Sequence, residues 1–437
     1  MNQKISVFWF RRDLRLEDNK GLYEALNSGY PVLPIFIFDS EILQDLSRND
    51  PRISFIHQCL DKMRLMLHKK FGRSLAIYLG RVEDVFAELL HTYSVQRIYT
   101  NKDYEPYAQK RDSIVAEMAR THSVEFHSTK DQVVFEEDEI VKDNGDPYLV
   151  FTPYKNKWKS KFDIKTNLKY YQSWDYCDKI IDSKALPWLT VEDIGCQPSL
   201  ITVPPFNLDD ILIENYQATR NYPSDKNGTS RIGPYLRFGT VSIREVIQKA
   251  IKQKNDTFWN ELIWREFFMQ ILWHFPQTIQ NSFKPQYDRI MWRNDQVEFQ
   301  AWKSGKTGYP MVDAGIRQLN ATGYMHNRVR MLVASFLCKH LLIDWRWGEA
   351  YFAQKLLDYE LSSNVGNWQW AAGCGVDAAP YFRIFNPYTQ AEKFDPDDRY
   401  IKQWVPEYKD SDYPPPIVDH FFARNRCIIA YKAALNS

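Results

Sequence analysis

The run Ile5-Ser6-Val7-Phe8-Trp9-Phe10, closed by Arg11-Arg12-Asp13, reads as a short apolar strand with charge at its end. Similar apolar stretches recur at Val32–Phe38, Leu75–Leu79 and Arg97–Thr100. Between them, Asn19–Ser28, Arg52–Phe71 and Val82–Tyr93 have helical spacing. Strand–helix alternation predicts an α/β domain with a parallel, doubly wound, Rossmann-like sheet over residues 1–127. No Gly-x-Gly-x-x-Gly follows the first strand, so the sheet by itself implies no dinucleotide.

Working outward, 437 residues exceed one ordinary core and predict two domains. Residues 128–205 mix short apolar pieces with Pro, Asp and Lys and read as an interdomain connector. Beyond Pro205 the pattern turns helical at Val241–Ile251, Phe258–Trp273, Val312–Gln318, Asn327–Leu342 and Glu349–Leu357. Residues 206–437 are therefore expected to form an all-α domain.

Composition narrows the class of function. Hydrophobic residues at 44% and charged residues at 25% fit a globular chain rather than a disordered one. The net charge of +1 gives no global attraction to nucleic acid, so any DNA contact must come from a local basic patch. Apolar runs are too short to span a bilayer, and the amino terminus lacks a signal-peptide layout, which predicts a cytoplasmic protein with no membrane partner. Six scattered cysteines form no Cys-x-x-Cys pair and no His cluster accompanies them, so neither a metal site nor a disulfide framework is expected. Gly305-Lys306-Thr307-Gly308 resembles a phosphate loop only briefly, because Gln300 stands where that pattern requires Gly.

Four segments carry chemistry. Gly228-Thr229-Ser230-Arg231 offers small hydroxyls and a guanidinium suited to phosphate, and equally suits an ordinary helix start. Glu261, Trp264 and Arg265 share one helical face, which suits a stacked nucleobase or a salt-bridged amphipathic helix. Met325-His326-Asn327-Arg328-Val329-Arg330-Met331 is dense in polar groups, and Arg330 has a possible partner in Asp358. The stretch from Asp358 through Asn364-Val365-Gly366-Asn367-Trp368-Gln369-Trp370 to Pro387 interleaves polar, small and aromatic residues with no evident period. It reads as a long ligand-wrapping loop. Nine of the 14 Trp lie between Trp259 and Trp370, a density that a bulky aromatic core also explains.

Taken in order with Phe8-Trp9-Phe10-Arg11-Arg12-Asp13-Leu14-Arg15-Leu16-Glu17-Asp18-Asn19, these segments resemble the DNA photolyase/cryptochrome family along essentially the whole chain. The likeness is closest to its class I cyclobutane pyrimidine dimer photolyases. It implies light-driven repair of dimers in UV-damaged DNA by electron transfer from photoexcited FADH⁻, performed by a monomer. By resemblance, Tyr216, Thr229, Ser230 and Arg231 match positions on the phosphate and adenine side of FAD. Asn364 matches the residue facing flavin N5, and Arg330 and Asp358 match the pair beside the isoalloxazine. Glu360 stands one methylene longer than the family's usual second Asp there, and Tyr324 replaces a common Trp. Glu261, Trp264, Asn327, Met331 and Trp370 match the pocket for the flipped dimer. Arg220, Arg265, Arg328 and Arg383 match positions near the DNA backbone. Trp368, Trp345 and Trp292 match an electron-carrying chain. Glu105 matches an acid that contacts an antenna chromophore. Gln280 replaces the Lys of folate-binding relatives, so methenyltetrahydrofolate and a deazaflavin both stay open. The rival implication is a cryptochrome-type blue-light photoreceptor without repair, although plant-type sensors usually carry Asp at the position of Asn364. Relatives that repair (6-4) photoproducts carry His residues where this chain has Asn327 and Met331.

Overall fold

The computed structural model describes residues 3–182 and 186–436. The chain divides into two compact units, and the division interleaves along the sequence.

The first unit comprises Met1–Glu136, Lys161–Pro204 and Ile232–Lys249. Its centre is a five-stranded parallel sheet of β1 (Lys4–Phe10), β2 (Val32–Asp39), β3 (Ala76–Gly80), β4 (Ser94–Asn101) and β5 (Glu125–Thr129), in the order β3-β2-β1-β4-β5. Phe8 pairs with Pro34 on one side and Tyr99 on the other, so β1 is the central strand. Alternate residues of β1 feed two separate cores, as a two-faced sheet requires. Phe8 and Phe10 pack with Phe36, Phe38 and Ile77 beneath α1 (Lys20–Leu26) and α2 (Pro51–Phe71), whose Leu22, Leu60 and Leu67 face them. Val7 and Trp9 pack on the other face with Ile35 and Ile37 beneath α3 (Val82–Thr92) and α4 (Pro106–Thr121), through Phe86, Leu89 and Val115. The doubly wound sheet is as expected. The sequence reading did not name β5 or α4. β5 is a polar edge strand and α4 buries few apolar side chains, so neither carries a strong hydrophobic signal.

The second unit comprises Glu137–Ser160, Pro205–Arg231 and Ala250–Ser437 and is helical. Its main helices are α5 (Phe151–Lys161), α6 (Thr257–His274), α7 (Pro310–Thr322), α8 (Asn327–Ser335), α9 (Trp345–Lys355), α10 (Leu361–Ala372) and α11 (His420–Asn436). A short π-helical turn, Phe336–His340, follows α8 where the sequence pattern ran on as one helix. Residues 128–205, read as a connector, are shared out: 137–160 belong to the helical unit and 161–204 to the sheet unit. Residues 232–249, read as helical-domain sequence, also pack in the sheet unit.

The reason is specific bonding within the sheet unit. Ile181 N–H donates to Val32 O (2.9 Å) and Leu14 N–H to Phe238 O (3.0 Å). Arg244 donates to Asp18 (2.9 Å) and Asp131 (2.8 Å), and Arg15 also pairs with Asp131. Burial pushes the Asp131 carboxyl up, but Arg15 and Arg244 outweigh that and hold it below the usual range. This contribution is present above the ordinary carboxylate range and is lost as pH falls through the lowered value. Replacing Asp131 by Ala leaves the buried Arg15 without a carboxylate partner and Arg244 with Asp18 alone, and is expected to destabilise the protein by about 3–5 kcal/mol. Urea unfolding at pH 7 checks this, with the deficit shrinking in acid.

Candidate functional site

α10 organises the site, and its helical state corrects the loop reading of Asp358–Trp370. The helix runs from Leu361 to Ala372 and ends at Gly373, φ +90°. Its period is hidden because two faces are buried against different surroundings. Ser363, Asn364, Asn367, Trp368 and Trp370 line one cavity, while Ser362, Val365, Gly366 and Gln369 line another. Such a helix shows no single apolar stripe. The following stretch from 373 to 386 is the irregular part.

Close packing fixes α10 in place. A Cβ on Gly348 of α9 would lie 2.1 Å from the Trp368 ring, and one on Gly366 would lie 2.2 Å from Phe268 of α6. Only glycine permits either approach. Gln369 is almost fully buried and bonds three backbone groups: it accepts from Phe283 N–H (2.8 Å) and donates to Thr278 O (2.8 Å) and Asn281 O (3.0 Å).

The first cavity has a volume of about 90 Å³, opens to solvent, and lies among α8, α9, α10 and the turn before α10. Asn327 and Met331 enter from α8, and Asp358 and Glu360 from the turn. His326 caps α8 by accepting from Arg328 N–H (3.2 Å). Burial and the neighbouring arginines Arg330, Arg328 and Arg220 push its imidazole down to about 4, so it is the neutral acceptor that capping needs. On the cavity wall Arg330 donates to Asp358 Oδ2 (2.9 Å) and to Met325 O (2.7 Å). Asp358 Oδ1 is buried without a partner. The Asn364 amide nitrogen donates to the Glu349 carboxylate (2.9 Å) and backbone oxygen (3.1 Å), which leaves its amide oxygen for the cavity. Burial holds the Glu349 carboxyl above its ordinary range, against the opposing bonds from Asn364 and Tyr359.

Of the expected site residues, Asn327, Arg330, Met331, Asp358, Glu360, Asn364, Trp368 and Trp370 come together around this cavity. Glu261 and Trp264 do not line it. Glu261 pairs with Arg220, and Trp264 is half-buried among Phe151, Phe267 and Phe268. Tyr216, Thr229, Ser230 and Arg231 also lie outside its lining; Tyr216 packs edge-on to Phe258 (5.1 Å) and Arg231 donates to Lys226 O (2.9 Å). Arg265 pairs with Glu360 (3.5 Å). Arg328 donates to Asn221 (2.6 Å) and lies over Phe394, and Arg383 lies over Phe385. Trp368 and Trp345 are buried in one core, with Trp292 packed on its edge. The ring partners of Trp368 are Phe352 (4.9 Å) and Trp302 (6.3 Å). In the sheet unit, Glu105 pairs with Arg12 and Arg237, both at 3.1 Å. The rejected phosphate loop is committed internally: Thr307 N–H (2.8 Å) and Gly308 N–H (3.1 Å) both donate to Asp313. Among the described residues no cluster of His, Cys, Asp or Glu could hold a metal.

Sequence reasoning missed Glu349, Ser363 and Asn367. Asn367 and Trp368 follow Asn364 at helical intervals, so reading α10 as a helix would have found Asn367. Glu349 carries no local signal, because it meets Asn364 across 15 residues through helix packing.

Residues 6–172 match the family described as DNA photolyase, and residues 258–412 match the FAD binding domain of DNA photolyase. A deoxyribodipyrimidine photo-lyase from Halobacterium salinarum is 35% identical, with 98% of this chain and 99% of that protein covered. The chain belongs to the DNA photolyase family. The solved bacterial class III photolyase from Agrobacterium tumefaciens superposes with a TM-score of 0.89 at 32% identity, covering 100% of this chain and 99% of that one. An archaeal photolyase from Sulfolobus tokodaii, solved with two FAD molecules, gives 0.83 at 34% identity, covering 98% and 99%.

The photolyase cavity fits the flavin ring of FAD by its donor and acceptor set. A reduced isoalloxazine presents N–H donors, and Asp358 Oδ1 and the Asn364 amide oxygen are acceptors without protein partners. The Arg330 guanidinium adds a cation for the ring's carbonyl edge. Replacing Asp358 by Ala removes one acceptor and unpairs Arg330. FAD binding is expected to weaken about 10-fold or more, since a hydrogen bond to a charged group contributes about 1.5–3 kcal/mol. Flavin absorbance retained after dialysis checks this.

Proposed function

We propose that the protein repairs cyclobutane pyrimidine dimers in DNA under blue light, with FAD as its working cofactor. The observation that carries this reading is the single cavity shared by Asn364, Arg330 and Asp358 with Asn327, Met331 and Trp370. One part of its wall suits a flavin, and another suits the two covalently joined pyrimidines of the lesion, which offer apolar faces and hydrogen-bonding edges. The curated relative from Halobacterium salinarum carries the name of this activity.

Bound reduced FAD would, when photoexcited, lend an electron that splits the dimer and is then returned to the flavin, so that the cycle is redox-neutral. The chain's own residues orient and insulate. Asn364 offers a neutral acceptor that adds no charge beside the ring, and Glu349 fixes which end of its amide faces the cavity. Arg330 and Asp358 set the polar edge of the site. Met331 and Trp370 present soft and flat apolar surface to an extruded pyrimidine dimer, while Asn327 offers an amide to a base edge. Trp264 and Glu261 on α6 supply a further plane and acceptor for the same lesion, and Arg220, Arg328 and Arg383 meet the DNA backbone. Trp368, Trp345 and Trp292 form the proposed route for refilling the flavin with electrons. Tyr216, Thr229, Ser230 and Arg231 serve the adenine and phosphate end of FAD.

The sheet unit is the proposed seat of an antenna chromophore, for which a folate and a deazaflavin remain candidates. The Sulfolobus tokodaii structure is described as implying a novel light-harvesting cofactor from its two FAD molecules, which adds a flavin to that choice. All six cysteines are free, which agrees with a reducing cytoplasmic setting, and we take the acting form to be a monomer. Among the described residues no helix is long and apolar enough to cross a membrane.

Purified protein loaded with fully reduced FAD is expected to convert a dimer-containing oligonucleotide to undamaged DNA under blue light and not in the dark. Persistence of dimers under illumination, with the oligonucleotide bound, contradicts the repair reading and leaves a photoreceptor.

A further inference from the structure

The half-buried indole of Trp264 is supported from beneath by a residue that neither motif nor spacing singles out. Phe151, the first residue of α5, stacks on it with ring centroids 3.7 Å apart and planes 10° apart. Phe267 meets the same indole edge-on at 5.5 Å, and Phe268 lies offset and nearly parallel to it, at 5.5 Å with planes 29° apart. Phe151 is itself almost fully buried, so the indole face it covers is closed to any ligand.

The position of Phe151 is fixed from an unexpected direction. Its backbone N–H, one of the unsatisfied donors of a helix start, donates to the Asp377 carboxylate at 3.1 Å. Asp377 lies 226 residues away, in the irregular stretch that follows α10 and carries Arg383. A carboxylate there satisfies the donor and favours the positive end of α5. Asp377 sits in the left-handed region at φ +47°, which Asp tolerates better than most residues. One contact therefore ties the stretch bearing Arg383 to the aromatic floor under Trp264.

We propose that Phe151 is a positioning residue for damage recognition: it sets the plane of Trp264 and leaves one side of the indole for a base of the dimer, and Asp377 locks Phe151 in that place. The inference rests on the reading of Trp264 as a lesion-stacking residue. Phe151 touches neither DNA nor cofactor. Its contribution is a preset ring plane, so the dimer need not order the indole on arrival. An aliphatic side chain of similar bulk fills the space and loses the stacking geometry. A larger aromatic ring keeps the geometry.

The test uses FAD-loaded protein in the dark and compares affinity for a dimer-containing oligonucleotide with affinity for the undamaged one. Phe151→Leu is expected to weaken dimer binding about 3- to 10-fold, the range that an aromatic pair contributes. Binding of undamaged DNA, FAD content and thermal midpoint should change little. Phe151→Tyr should restore discrimination. Asp377→Ala should act in the same direction as Phe151→Leu, and Asp377→Asn, which keeps an acceptor, should not. Combining Phe151→Leu with Trp264→Ala is expected to add nothing beyond Trp264→Ala alone, because the two act as one unit. If Trp264→Ala abolishes discrimination while Phe151→Leu leaves it intact, the inference falls and the reading of Trp264 stands. If Trp264→Ala itself leaves discrimination intact, both fall. An equal loss for damaged and undamaged DNA in Phe151→Leu makes Phe151 purely structural and also overturns the inference.

Discussion

The helical unit depends on how closely α10 can approach its neighbours. Gly348 admits the Trp368 ring and Gly366 admits Phe268, each at a distance where a Cβ would clash. These two approaches clamp one helix between α9 and α6, and Gln369 locks its rotation through three backbone hydrogen bonds. With α10 so fixed, Asn364, Trp368 and Trp370 point into the same cavity without further ordering. Preorganisation of this kind matters where the protein must hold groups at set positions.

Electrostatics in the cavity follows from that placement. Arg330 is held between Met325 O and Asp358, so its charge faces the cavity as part of a pair. Asn364 is oriented by Glu349, and burial keeps that carboxyl above its ordinary range. The outcome is a site with acceptors to spare and little free charge. A flavin ring in such a place would gain hydrogen bonds, and those bonds together with the Arg330 charge are the means by which the protein would tune it.

The two halves of the chain were unequally legible in the sequence. β1 and β2 were readable because both faces of each are buried and their residues are almost all apolar. β5 was not, since Phe126 stands alone among Glu125, His127, Ser128 and Thr129 and makes no apolar run. α10 was misread because its two buried faces carry mixed residues, which erases the periodic signal that marks a surface helix. The interleaving of the units was invisible, for it depends on long-range bonds such as Arg244 to Asp18 and Asp131. Within the site, the Arg330–Asp358 pair could be suspected from residue types. The grouping of Asn327, Met331, Asn364 and Trp370 rested on family resemblance, and Phe151 and Glu349 on neither. Both act through contacts between separate elements, Glu349 from α9 to Asn364 on the next helix and Phe151 from α5 to Trp264 on α6.

On the proposed function, this cavity joins a reduced flavin to a pyrimidine dimer closely enough for an electron to pass. The fluorescence lifetime of fully reduced FAD in the protein tests it most directly, measured with saturating dimer-containing or undamaged oligonucleotide. A lifetime several-fold shorter with the dimer, and unchanged with undamaged DNA, is the predicted result. An identical lifetime in both cases, with the dimer demonstrably bound, would contradict the claim.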